Sequence, residues 1–150
     1  MKTSRALLLS TFVASLPLIA ALGCGGGGTA LGRNSDVQVI LDSNNINDLE
    51  LIVSPTRGGP DAFDRCSIDD PDLWCTTQVG NSRDIIRFTT NSAASSDPYY
   101  VWVRNLSGNN RSFTLEVVMD NGSKYLSDIT MAGNRTDVFV EIRRNNATPR

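Results

Sequence analysis

From residue 36 onward the apolar side chains recur at every second position, and that period confines the chain to half-buried β-strands. Val37, Val39 and Leu41 alternate with Asp36, Gln38 and Asp42. Leu49, Leu51 and Val53 alternate with Asp48 and Glu50 and stop at Pro55. Ile86 and Phe88 follow Asp84, and Val101 and Val103 sit between Tyr100, Trp102 and Arg104. Phe113, Leu115, Val117 and Met119 alternate with Thr114, Glu116 and Asp120. A weaker run covers Lys124 to Met131, and Val138, Val140 and Ile142 close the series. No window after residue 30 carries the i, i+3, i+4, i+7 spacing of an amphipathic helix. Asn121-Gly122 fits a two-residue hairpin, and Gly108-Asn109-Asn110 and Gly133-Asn134 mark two more connections. About seven or eight short strands punctuated this way predict an all-β fold, an antiparallel β-sandwich. It should span residues 36–144, with 145–150 as a frayed tail.

Composition removes several kinds of chemistry. The 150 residues contain no histidine, which excludes His-based nucleophilic triads and His-ligated zinc or iron. Three cysteines cannot build a four-thiolate site in one chain. With 14 Lys and Arg against 16 Asp and Glu, the chain lacks the basic face that displaces phosphate counterions, so no nucleic-acid partner is expected.

The first residues read as an address. Lys2 and Arg5 precede an apolar run from Ala6 to Leu22 that Ser10, Thr11, Ser15 and Pro17 interrupt. A spanning helix needs about 20 predominantly apolar residues, so a secretory signal peptide over 1–23 suits the run better. Ala21-Leu22-Gly23-Cys24 then resembles the lipobox of bacterial lipoproteins, although that family favours leucine where Ala21 stands. The resemblance implies cleavage just before Cys24, acylation of its sulfur (a palmitate-type modification), and membrane attachment through lipid. Two or three acyl chains anchor stably, at about 0.8 kcal/mol per buried CH₂. Gly25 to Gly28 and Thr29-Ala30-Leu31-Gly32 cannot pack a core, and residues 24–35 form a tether reaching roughly 18 Å. Gly25 and Gly26, not aspartate, directly follow Cys24. By the same resemblance that places the protein in the bacterial cell envelope at the outer membrane.

One connection departs from the tight turns: Arg57 to Cys75. Export puts Cys66 and Cys75 in an oxidising compartment, where a disulfide is the natural reading and a redox-active pair the alternative. Five aspartates crowd the same stretch: Asp61, Asp64, Asp69, Asp70 and Asp72. They form either a solvated loop balanced by Arg57 and Arg65 or a weak calcium site. Asp69, Asp70 and Asp72 are the candidate ligands. No cofactor is required; calcium is the one that the loop could take.

A second resemblance follows from order. Asp48-Leu49-Glu50-Leu51-Ile52-Val53, then Phe63-Asp64-Arg65-Cys66 through Cys75, then Tyr99-Tyr100-Val101-Trp102-Val103-Arg104 and Phe113-Thr114-Leu115-Glu116-Val117 resemble the bacterial pre-peptidase C-terminal domain. Those small β-sandwiches are attached to secreted proteases and other exported proteins. The resemblance implies an accessory or binding module without a peptidase.

Catalysis without histidine would need paired carboxylates, and Asp48 and Glu50, two residues apart on a strand, are the candidates. Binding has better material. Tyr100, Trp102 and Phe139 are expected on the face opposite Val101, Val103, Val138 and Val140, where they either stack on a partner or are covered by a loop or the second sheet. The expectation is therefore a non-catalytic cell-envelope lipoprotein binding a glycan or an envelope protein. A calcium-stabilised adhesion or matrix-binding module comes next, and a carboxylate hydrolase last. Five Asn-x-Ser/Thr triplets, beginning at Asn105, Asn110, Asn121, Asn134 and Asn146, read as by-products of Asn-rich turns.

Overall fold

A computed structural model describes residues 35–55, 59–90, 98–120, 122–144 and 146–150. The expected signal peptide and residues 24–34 of the expected tether lie outside them, as do Arg57 and Asn121, whereas Ser35 is described and buried.

The alternation becomes two five-stranded antiparallel sheets. One holds, in spatial order, β4 (Cys75–Gln78), β5 (Arg83–Thr89), β1 (Asp36–Asp42), β7 (Arg111–Met119) and β8 (Gly122–Met131). The other holds β10 (Asn146–Pro149), β9 (Thr136–Arg143), β6 (Tyr99–Asn105), β2 (Leu49–Ser54) and β3 (Cys66–Ser67). Side chains of period two from both inner faces meet in one core. Val37, Val39, Leu41, Ile86 and Val117 come from the first sheet; Leu51, Val53, Val101, Val103, Val140 and Ile142 come from the second.

The connection between the cysteines is short and structural. Cys66 in β3 and Cys75 in β4 form a disulfide with Cα atoms 6.4 Å apart. Because β3 and β4 are edge strands of opposite sheets, the bond staples the sandwich along one lateral border. At the other border β8 and β10 are in contact.

Each end of the sandwich has its own closure. At the end where β1 begins, Trp74 packs edge-on against Phe88, with ring centroids 5.4 Å apart, and lies 5.6 Å from Tyr99. At the opposite end Asn105 is the keystone. Its Nδ2 donates to the carbonyls of Asn109, Met131 and Ala132, and its Oδ1 accepts from the Ser107 N–H and Oγ. The two turns it clips together touch so closely that a Cβ on Gly133 would run into the Gly108 backbone. Asn134, at φ 56°, donates its N–H to the Ser107 carbonyl at 2.8 Å.

The structure corrects several expectations. Residues 146–149, assigned to a tail, pair with β9, because Ala147 is buried and the short strand covers part of the core. The cysteine loop contributes β3 and β4, so the described residues hold ten strands where seven or eight were expected. Met119 pairs with Gly122, which moves the expected hairpin turn one residue toward the N-terminus. The last correction bears on the binding face: β9 carries a bulge. Val101 pairs with Val140 but Trp102 pairs with Val138, leaving Phe139 as the extra residue.

Candidate functional site

The outer face of β2, β6 and β9 gathers the side chains that matter. β6 places Tyr100, Trp102 and Arg104 there, β2 adds Glu50 and Ser54, and β9 adds Thr136, Val138 and Glu141 across the register. Part of this face is covered. Asp61 reaches Arg104 with 2.6 Å between Oδ1 and Nη2, so part of the β2–β3 connection lies over it. Tyr100, beneath Arg150, is only 3% exposed, while Trp102 remains half-open.

What stays accessible is a hollow of about 220 Å³ lined by Tyr100, Trp102, Val138 and Arg150. The Trp102 indole N–H donates to Ser54 Oγ at 3.1 Å, which fixes the ring as one wall. Arg150 lines the hollow as well. Its guanidinium carbon sits 5.3 Å from the Tyr100 ring centroid, a cation–π contact, and it is ion-paired with Glu141. Glu141 also accepts from Arg143 Nε at 2.7 Å. On the far side of Trp102, Arg104 donates to Glu50 at 3.0 Å and to Thr136 Oγ1 at 3.3 Å. An apolar floor is thus framed by two compensated charge clusters. The hollow is smaller than the ~300–1,000 Å³ of a site that swallows a whole small molecule. It fits one ring or one side chain of a ligand that continues across the surface.

No family model, curated protein or solved structure matches the chain. The site therefore has to be read from its own geometry.

Of the three aromatics expected on this face, two are there. Phe139 is not: the bulge turns it inward, where its ring meets Phe113 edge-on at 5.4 Å. Val138, expected inside, takes the outward place instead. The Phe139 carbonyl accepts the Arg150 N–H at 2.8 Å, so the same bulge helps hold the arginine over Tyr100. Val138 and Arg150 are the residues that sequence reasoning missed. Ala147 between Asn146 and Thr148 was the available hint that a strand continues to residue 150.

The carboxylates are dispersed. Asp48 closes a 3₁₀ turn (Ile46–Asp48) and pairs with Arg111 at 2.6 Å, while Glu50 pairs with Arg104 on the outer face. Two different arginines thus hold the candidate acid–base pair. Asp70 stands 3.9 Å from Arg65, and Asp72 Oδ1 accepts the Leu73 N–H at 2.6 Å. Asp69 lies near enough to Asp84 to act on its charge. Burial pushes the Asp84 carboxyl above its ordinary range; a Gly80 N–H bond lowers it and Asp69 raises it further. Among the described residues no three Cys, Asp or Glu side chains are grouped to hold a metal ion.

Proposed function

We propose that this protein is a non-catalytic, lipid-anchored lipoprotein of the bacterial envelope whose sandwich binds a glycan through the hollow beside Trp102. The observation that carries the reading is a half-open indole, hydrogen-bonded to Ser54, that lines one hollow of about 220 Å³ together with Tyr100, Val138 and Arg150. An aromatic wall stacks on the apolar face of a ring, and the partly exposed Arg150 and Arg104 guanidinium groups offer donors for hydroxyls. Cys24 in its lipobox-like setting supports the anchoring, and the absence of aspartate after it favours the outer membrane. The resemblance to pre-peptidase C-terminal domains points to the same accessory role. No step of chemistry is assigned to Asp48 and Glu50.

Soluble envelope glycan fragments titrated into the protein should quench or shift tryptophan emission, and Trp102→Ala should weaken binding about tenfold. Stacking contributes about 0.5–1.5 kcal/mol beyond area burial, and 1.4 kcal/mol is a factor of ten. Equal glycan affinity for both forms would overturn the reading. A glycan-blind protein that captures an envelope protein through Trp102 would replace the ligand while keeping the surface.

A further inference from the structure

We infer that Phe63 and Leu73 form a second, direct contact with the bilayer, seating the sandwich end-on upon the membrane to which Cys24 ties it. The inference rests on the lipid-anchored reading of Cys24.

Phe63 is 104% exposed and Leu73 103%, beyond the other large apolar side chains with open surface, Val79 and Leu106. Both are rigidly mounted. The Trp74 indole N–H donates to the Asp64 carbonyl at 2.9 Å, and Phe63 and Leu73 are the immediate chain neighbours of those two groups. One hydrogen bond therefore ties the turn that carries Phe63 to the turn that carries Leu73. Each turn is itself closed: Arg65 N–H donates to the Ala62 carbonyl, and Cys75 N–H to the Asp72 carbonyl, both at 3.2 Å. Cys75 is further fixed by the disulfide. Large apolar side chains held outward on a stapled base have no role in the core that they face away from.

The place of the patch identifies its occupant. Leu73 and Asp36 line the same cleft of about 540 Å³, so the patch lies at the end of the sandwich where β1 starts. There Ser35 is tied twice to Thr90, with its N–H donating to Thr90 Oγ1 and its carbonyl accepting the Thr90 N–H, both at 2.9 Å. Cys24 precedes Ser35 by eleven positions. A random coil of eleven residues spans roughly 18 Å, a distance that puts a bilayer holding Cys24 within range of the patch. The acyl chains supply the attachment, and an apolar contact beside them adds buried area and fixes the orientation of the sandwich. Asp36 and Asp120 outnumber Arg87 on the cleft, which favours zwitterionic headgroups over anionic ones.

The test uses the full-length lipidated protein carrying Trp102→Phe, which leaves Trp74 as the one tryptophan of two. It is reconstituted into phosphatidylcholine vesicles with ordinary or brominated acyl chains. Bromine should quench Trp74 emission, and Phe63→Ser with Leu73→Ser should abolish that quenching. The doubly substituted protein should still sediment with the vesicles and keep its emission in ordinary lipid. Equal Trp74 emission in both lipids, in protein that sediments, overturns the contact and spares the anchor. Quenching that survives the double substitution overturns it as well. A protein left in the supernatant with an unmodified Cys24 overturns the anchored reading and the contact with it.

Discussion

Asn105→Ala should lower the unfolding free energy by about 3–4 kcal/mol, as read by urea denaturation. The side chain is 1% exposed and makes five hydrogen bonds to two turns. Alanine removes its donors and its acceptor together, leaving the Met131 and Ala132 carbonyls and the Ser107 N–H short of partners. An unmade buried bond costs about 1–3 kcal/mol for each stranded group, and only part of that is recovered by water at the turns. The two turns belong to connections that pass between the sheets, β6 to β7 and β8 to β9. The damage should therefore spread to both layers. Asn105→Asp separates the contributions, since it keeps an acceptor for Ser107 but loses the amide donors. It should remain destabilised by about 2 kcal/mol or more. A loss below about 1 kcal/mol for the alanine variant would contradict the keystone role.

Removal of the disulfide comes next in size. Cys66→Ala with Cys75→Ala should cost about 2–3 kcal/mol in the chain-entropy account of a ten-residue loop. The structural consequence exceeds loop closure, because β3 has only two residues and pairs with β2 through Ile52 and Val53. Without the staple, β3 and the Trp74 turn should exchange amide hydrogen faster than β1 or β6. A thiol assay on the folded wild-type protein should find neither Cys66 nor Cys75 reactive. Two titratable thiols, or a reduced protein as stable as the oxidised one, would contradict this placement.

The long strands were legible in the sequence because each is half-buried and alternates cleanly, as Phe113 to Met119 does across β7. Both faces of β2 are buried, yet its Leu49–Ser54 run still stands out for its apolar density. β3 and β4 were not legible. Two and four residues are too few to show a period, and they sit among aspartates that read as loop. β10 was hidden by Asn and Pro, which are turn formers locally but tolerated at a sheet edge. The candidate site was half visible. Tyr100 and Trp102 follow from the strand period of β6, whereas Phe139 and Val138 exchange faces at a bulge that no alternation rule registers. Arg150 approaches Tyr100 from fifty positions away in the chain, a tertiary contact that only the β9–β10 pairing creates.

The reading as a whole depends on a greasy attachment at one cysteine, and intact mass of the membrane-extracted protein measures it most directly. The mass should correspond to a chain that begins at Cys24, carries acyl groups and has lost the hydrogens of the Cys66 and Cys75 thiols. A mass matching the unprocessed chain from Met1, with no lipid attached, would contradict it.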